Sequence, residues 1–283
     1  MFAPVVRRGR VRSPRRQRPW FWRLTLAEVA RQAIPRPPWA RRIDPSPFPP
    51  GTGGPHLELT IGAVRDAFAG VEIPASPDAV AAGGEGTGAA VLVVLAPSPG
   101  APVAESCEPD TQASVVLIRR AGHLRANPGE IAFPGGRLEV GEAPLSAALR
   151  EALEEVALPA EAIEVLGELP VVHAGRASVP ILPFVAVAGE LPALRACPDE
   201  VDCVLVVPLG ELVAPGRYWQ ELWNPTDEPA WVMHFFDLGE DVVWGATARM
   251  LYELFVRLFS PASDGRRGGP RGGRTRPAWR ATR

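Results

Sequence analysis

Apolar and polar positions along the chain fall into two regimes. Ala89–Leu95 is a continuous apolar run closed by Pro97, the pattern of a strand buried on both faces. Ser114–Ile118 repeats it and runs into Arg119-Arg120. Three more apolar stretches predict strands at Ile163–Leu166, Ile181–Val187 and Val204–Val207. A helical period predicts helices over Thr60–Phe68, Pro144–Val156 and Val242–Phe259. In the second, Leu145, Ala148, Leu149, Ala152, Leu153 and Val156 form the packed stripe, and Pro144 suits the first turn. A short amphipathic helix is expected at Thr25–Ala33, stopped by Pro35, with the rest of the N-terminal stretch mobile. Ser98–Thr111 reads as a loop insertion. The resulting division is an Arg/Pro-rich, largely disordered extension over 1–55, a domain over 56–260 with its core at 89–259, and a basic Gly/Arg-rich tail over 261–283. Mixed strands with few helices predict an α/β sandwich.

Charge sharpens this division. The net charge of -2 conceals basic ends and an acidic middle. Residues 1–50 hold twelve arginines against Glu28 and Asp44, and the tail holds seven against Asp264. Eleven arginines and 29 carboxylates remain between them. An acidic middle suits divalent cations and argues against a nucleic-acid groove there. The basic ends could make weak contacts with anionic surfaces or nucleic acid, with Trp20, Trp22 and Trp39 as stacking groups. Cys107, Cys197 and Cys203 have no CxxC spacing, so neither a zinc site nor a disulfide framework is expected, and a reducing cytoplasm is the default location. No apolar run is long enough for a transmembrane segment. A homodimer is left open.

The candidate chemistry sits on the helix beginning at Pro144. Glu151, Glu154 and Glu155 stand at i, i+3 and i+4 and share a face. Like charges this close repel unless a cation lies between them, and carboxylate oxygens suit Mg²⁺ or Mn²⁺. A solvated acidic face would carry the same residues. The surrounding spacing narrows the choice. Gly136, Glu142, Arg150, Glu151, Glu154, Glu155 and Leu158 fit G-x5-E-x7-R-E-U-x-E-E-x-G-U, which resembles the Nudix box. Ala157 departs from it where the family has glycine, and Ala152 stands where it has a bulky aliphatic residue. The resemblance implies a Nudix α/β/α sandwich, a mixed β-sheet between helices. It implies Glu151, Glu154 and Glu155 as catalytic metal ligands held by Arg150, with Glu142 supporting them. Glu154→Gln and Glu155→Gln are each expected to lower activity by orders of magnitude.

The flanks resemble one branch of that family. Arg120, Ala121, Arg125, Gly129, Phe133, Pro134, Gly135 and Gly136 match a segment that marks coenzyme A diphosphatases. Val116 and Ile118 depart from its opening, and Asn127 stands where histidine is frequent. This implies a coenzyme A-like small-molecule diphosphate as substrate, with Arg120 and Arg125 on phosphates and Gly135 and Gly136 allowing close approach. Asp199-Glu200-Val201 followed by Val207-Pro208-Leu209, and Val243–Ala248, resemble the same branch, with Glu200 a further carboxylate for the metals or a plain loop residue. Phe133 reads as a core residue or a substrate contact, and Trp244 as a core anchor. His173 and His234 have no partner at metal-ligand or triad spacing. Two rivals remain: a Nudix enzyme for ADP-ribose, a dinucleotide or a nucleoside triphosphate, and a non-catalytic module that binds nucleotide or nucleic acid.

Overall fold

The computed structural model describes residues 22–25, 32, 34–43, 59–71, 88–98, 111–174, 179–223 and 231–259. The two longest apolar runs are strands β3 (Ala89–Pro97) and β4 (Ala113–Arg120). Their residues alternate between two cores. Val91, Val93, Leu95, Val115 and Leu117 face one, while Ala90, Leu92, Val94, Val116 and Ile118 face the other. A strand buried on both faces shows no polar alternation, which is why these segments read as unbroken hydrophobic runs.

Around this pair the larger sheet continues with β9 (Val179–Ala188), β7 (Ile163–Glu168) and β10 (Val201–Pro208). β9 runs parallel to β3, whereas β4 pairs antiparallel with both β3 and β10, so the sheet is mixed. Short strands β5 (Ile131–Ala132), β6 (Gly135–Arg137) and β8 (Val172–Ala174) add to β4, β3 and β9 respectively. Helix α2 (Pro144–Val156) covers one face, placing Ala147, Ala148, Ala152 and Val156 against Leu92, Phe184 and Val204. Helices α1 (Ile61–Phe68), α3 (Leu209–Leu212) and α4 (Gly245–Phe259) lie on the other, with Val64, Phe68, Leu209, Leu251 and Phe255 in the second core. The expected α/β/α sandwich is what forms. The Thr60 side chain caps α1 by accepting from the Ala63 N–H at 3.1 Å.

The segment at 218–237, for which no element was expected, forms β11 (Tyr218–Trp223) and β12 (Trp231–Asp237) of a second, four-stranded sheet. β13 (Val242–Val243) takes the first two residues of the expected final helix, and Gly245 starts α4 at φ +63°. His234 of β12 is buried, with its Nδ1 2.8 Å from the Tyr218 hydroxyl, and burial pushes its pKa down to about 4. It is structural; His173 is exposed. Phe133 is fully buried, so it is a core residue. Asp241 forms a buried ion pair with Arg119 that ties the second sheet to β4.

The N-terminal stretch departs from expectation. Thr25 closes strand β1 (Trp22–Thr25), which pairs with the free edge of β10. The rest of the expected Thr25–Ala33 helix lies outside the described residues, apart from Gln32. Further on, β2 (Arg41–Ile43) pairs with β11, and Arg36 reaches Glu221 at 2.9 Å. An edge strand needs a partner for its unpaired backbone groups, and residues of this extension supply one to each sheet. The tail over 261–283 and Cys107 lie outside the described residues.

Candidate active site

The site is built where β6 presses α2 against β3. β6 pairs Gly135 with Val91 and Gly136 with Ala90. A Cβ on Gly135 would overlap the Ala90 carbonyl and the Val91 backbone, and its φ of +148° is one that side chains rarely adopt. A Cβ on Gly136 would instead overlap the Glu151 carboxylate. The first glycine lets the strands close, and the second leaves room for an acid.

Two glutamates of α2 turn inward to this glycine pair. Glu155 is 1% exposed, and its Oε2 accepts the Gly135 N–H at 2.9 Å. Its Oε1 has no hydrogen-bond partner, and the nearest cation is Arg120 Nη1 at 3.9 Å. Burial pushes the carboxyl up to about 7, against the pull of the Gly135 N–H, and neighbouring Glu151 adds to the rise. Glu151 is raised too, chiefly by burial, although Arg150 opposes it.

Arg150 is the hub of the exposed side. It donates to Glu142 through Nε at 2.9 Å and Nη2 at 3.0 Å, to Glu151 at 3.0 Å, to Glu154 at 3.2 Å and to the Arg137 carbonyl at 3.2 Å. These bonds hold Glu142 below the usual carboxylate range and raise the arginine. Glu154 is the outlier of the acidic face. Its side chain is 56% exposed and bonds to Arg150.

Glu200 arrives from a different element. The loop before β10 is stitched to the end of α2 by Arg195 N–H to the Val156 carbonyl and Cys197 N–H to the Glu155 carbonyl. The Ala121 N–H then bonds the Glu200 carbonyl. Among the described residues, carboxylate oxygens of Glu151, Glu155 and Glu200 come within 4.8 Å of one another. Glu154 is outside that group. Arg120 ends β4 on the α2 face. Arg125 is exposed in the next loop, and among the described residues no hydrogen bond or ion pair joins it to the glutamates. Glu130 was not singled out from the sequence. Burial raises its pKa while Arg120 opposes the rise, so it faces the same arginine. Its signal was its place beside Gly129, just before a strand.

Ala157 closes α2 in the left-handed conformation, φ +56° and ψ +37°, with its N–H on the Ala152 and Leu153 carbonyls. The chain therefore leaves the helix by the turn that glycine would make at lower cost. The site as a whole offers hard oxygen donors, one of them a buried atom with no hydrogen-bond partner, crowded enough to repel. That donor set fits a hard divalent cation. No helix among the described residues is long and apolar enough to cross a membrane.

The chain is similar to proteins of one family. The NUDIX domain model matches residues 97–228. Proteins described as "Uncharacterized Nudix hydrolase NudL" from Salmonella paratyphi B and Salmonella newport are each 37% identical over 158 residues, spanning 52% of this chain and 76% of theirs. Among solved structures, the Nudix hydrolase RenU from M. smegmatis is 28% identical, with coverage of 44% and 72% and a TM-score of 0.35. A MutT/nudix family protein from Enterococcus faecalis is 22% identical, with coverage of 66% and 64% and a TM-score of 0.42. With more than a third of residues shared across three quarters of such relatives, the chain belongs to the Nudix hydrolases, enzymes that act on phosphorus-containing anhydrides.

Proposed function

We propose that this Nudix hydrolase cleaves the diphosphate of coenzyme A or a derivative, giving 4′-phosphopantetheine and adenosine 3′,5′-bisphosphate. The observation that carries the site assignment is Glu155 Oε1, buried without a hydrogen-bond partner among Glu151, Glu200 and Arg120. A buried polar atom of this kind calls for an occupant. Glu151, Glu155 and Glu200 would hold Mg²⁺ or Mn²⁺, with Glu154 available at the rim. When bound, the cation supplies positive charge to the diphosphate oxygens and acidifies a water.

The chain's own residues do the rest. The Gly135 N–H fixes Glu155 in one orientation. Arg150, anchored on Glu142, keeps Glu151 from turning away. Water attacks one phosphorus, the bond from that phosphorus to the bridging oxygen breaks, and Arg120 meets the charge that develops on the phosphoryl oxygens. The choice of substrate rests on the segment from Arg120 to Gly136, whose arginines suit a molecule with a diphosphate and a further phosphate.

Product analysis tests the reading. Purified protein with Mg²⁺ or Mn²⁺ is given coenzyme A, dephospho-coenzyme A, ADP-ribose and a dinucleotide. The expected result is fastest turnover of coenzyme A, with adenosine 3′,5′-bisphosphate released. A clear preference for ADP-ribose would overturn the substrate while leaving the metal site standing.

A further inference from the structure

The second sheet has an outer face that the catalytic account does not use. The register places Trp219 opposite Phe235, Glu221 opposite Met233 and Arg42, and Trp223 opposite Trp231. Alternation puts these side chains on one side of the sheet, away from the core that holds Tyr218 and Phe236. In the middle of this aromatic surface lies a nearly buried carboxylate. Glu221 Oε1 accepts from Trp219 Nε1 at 3.1 Å and Oε2 from Trp223 Nε1 at 3.0 Å. Arg36 Nε donates to both oxygens, at 2.9 and 3.2 Å. Its guanidinium lies over the Phe235 ring, 5.4 Å from the centroid, and Phe235 is stacked on Trp219 at 5.0 Å. One acid oriented by two indole N–H groups, beside a stacked ring face, is a pocket shaped for one guanidinium. Burial alone would raise the Glu221 pKa, but the indoles and Arg36 outweigh it and hold the carboxylate ionised.

The occupant of this pocket is part of the same chain, and its sequence recurs. Arg36 begins Arg36-Pro37-Pro38-Trp39, which turns back through the Ala40 N–H to the Pro37 carbonyl at 3.0 Å. Near the other end the chain reads Arg276-Pro277-Ala278-Trp279. Alanine is compatible with the turn position held by Pro38, and in both segments proline follows the arginine. Arg18-Pro19-Trp20 lacks the intervening residue and lies just before β1, which is committed to the other sheet. Arg36 is itself 44% exposed at the side chain, while Glu221 and Phe235 beneath it are buried, so a second ligand would have to take the place of Arg36.

We propose that Glu221, with the rings of Phe235 and Trp219, forms a binding site for an arginine that precedes proline, and that Arg276-Pro277-Ala278-Trp279 is a second ligand for it, interchangeable with Arg36-Pro37-Pro38-Trp39. The site is separate from the diphosphatase centre and does not depend on the substrate assigned above.

The test uses the full chain carrying Arg36→Ala and Arg276→Ala, so that neither resident arginine competes. Indole N–H signals of Trp219 and Trp223 are followed while unlabelled peptides of residues 34–41 or 274–281 are added. Both peptides are expected to shift both signals, with affinities within about tenfold of each other. The 274–281 peptide with Arg276→Ala keeps its other two arginines, yet it should bind about tenfold more weakly or worse, as should the native peptide to a Glu221→Gln chain. The proposal is overturned if the 274–281 peptide leaves the indoles unmoved, if it binds equally without Arg276, or if neither peptide binds.

Discussion

Gly135 and Gly136 are neighbours, but an added methyl would meet different things at each. At Gly136 it would strike the Glu151 carboxylate, so Gly136→Ala should lower kcat/KM by about 10- to 100-fold with little change in the urea midpoint. At Gly135 it would strike β3 backbone, so Gly135→Ala should cost about 1–3 kcal/mol of stability in the same denaturation experiment. Equal effects of the two variants on stability would contradict this division. Ala157 carries the opposite kind of defect. It holds a left-handed conformation that disfavours a side chain, so Ala157→Gly should stabilise the protein by about 1 kcal/mol, read as a higher urea midpoint. The spacing of the glutamates was legible because a helix face is periodic. What it did not show was their different surroundings. Glu155 is buried on a backbone N–H from β6 while Glu154 is exposed on Arg150, a distinction made by a strand far enough away in sequence to leave no periodic trace.

Elements with one strong period were read closely. α2 spans the expected Pro144–Val156, although Leu153 of the expected stripe is exposed and Ala147 is buried instead, and β3 and β4 extend the apolar runs by one or two residues at their ends. β11 and β12 were missed because both of their faces carry aromatics. Tyr218 and Phe236 enter the core while Trp219 and the equally buried Phe235 stack on the other face, which flattens the alternation that would mark a strand. β1 and β2 were missed because arginine-rich segments of this kind look unstructured until an edge is found for them to pair with. Removal of residues 1–58 should therefore expose the edges of β10 and β11 and take Arg36 from Glu221. A lower melting temperature with association on size-exclusion chromatography is expected, and an unchanged, monodisperse core would contradict the pairing. Between the sheets, the buried Arg119–Asp241 pair makes a sharper test. Asp241→Asn leaves a buried cation without its counter-charge and should cost about 3–5 kcal/mol.

At the scale of the whole molecule, the acidic middle links folding to pH and to cations. In the metal-free protein Glu155 titrates near 7, above the ordinary 4.5, because burial favours its neutral form. The folded state then binds a proton that the unfolded state has released. Its contribution to stability is full below about 4.5 and is lost as pH rises through about 7. A cation binds the ionised carboxylate, so it restores most where that loss is complete. Millimolar Mg²⁺ should raise the melting temperature more at pH 8 than at pH 5. The most direct test of the account is a calorimetric titration of Mn²⁺ into the protein holding a non-hydrolysable coenzyme A-like diphosphate, for the unaltered chain and for Glu155→Gln. The account predicts saturable binding by the unaltered chain and binding weakened about tenfold or more in the variant. Absence of saturable binding at millimolar Mn²⁺, or equal affinity in the two proteins, would contradict it.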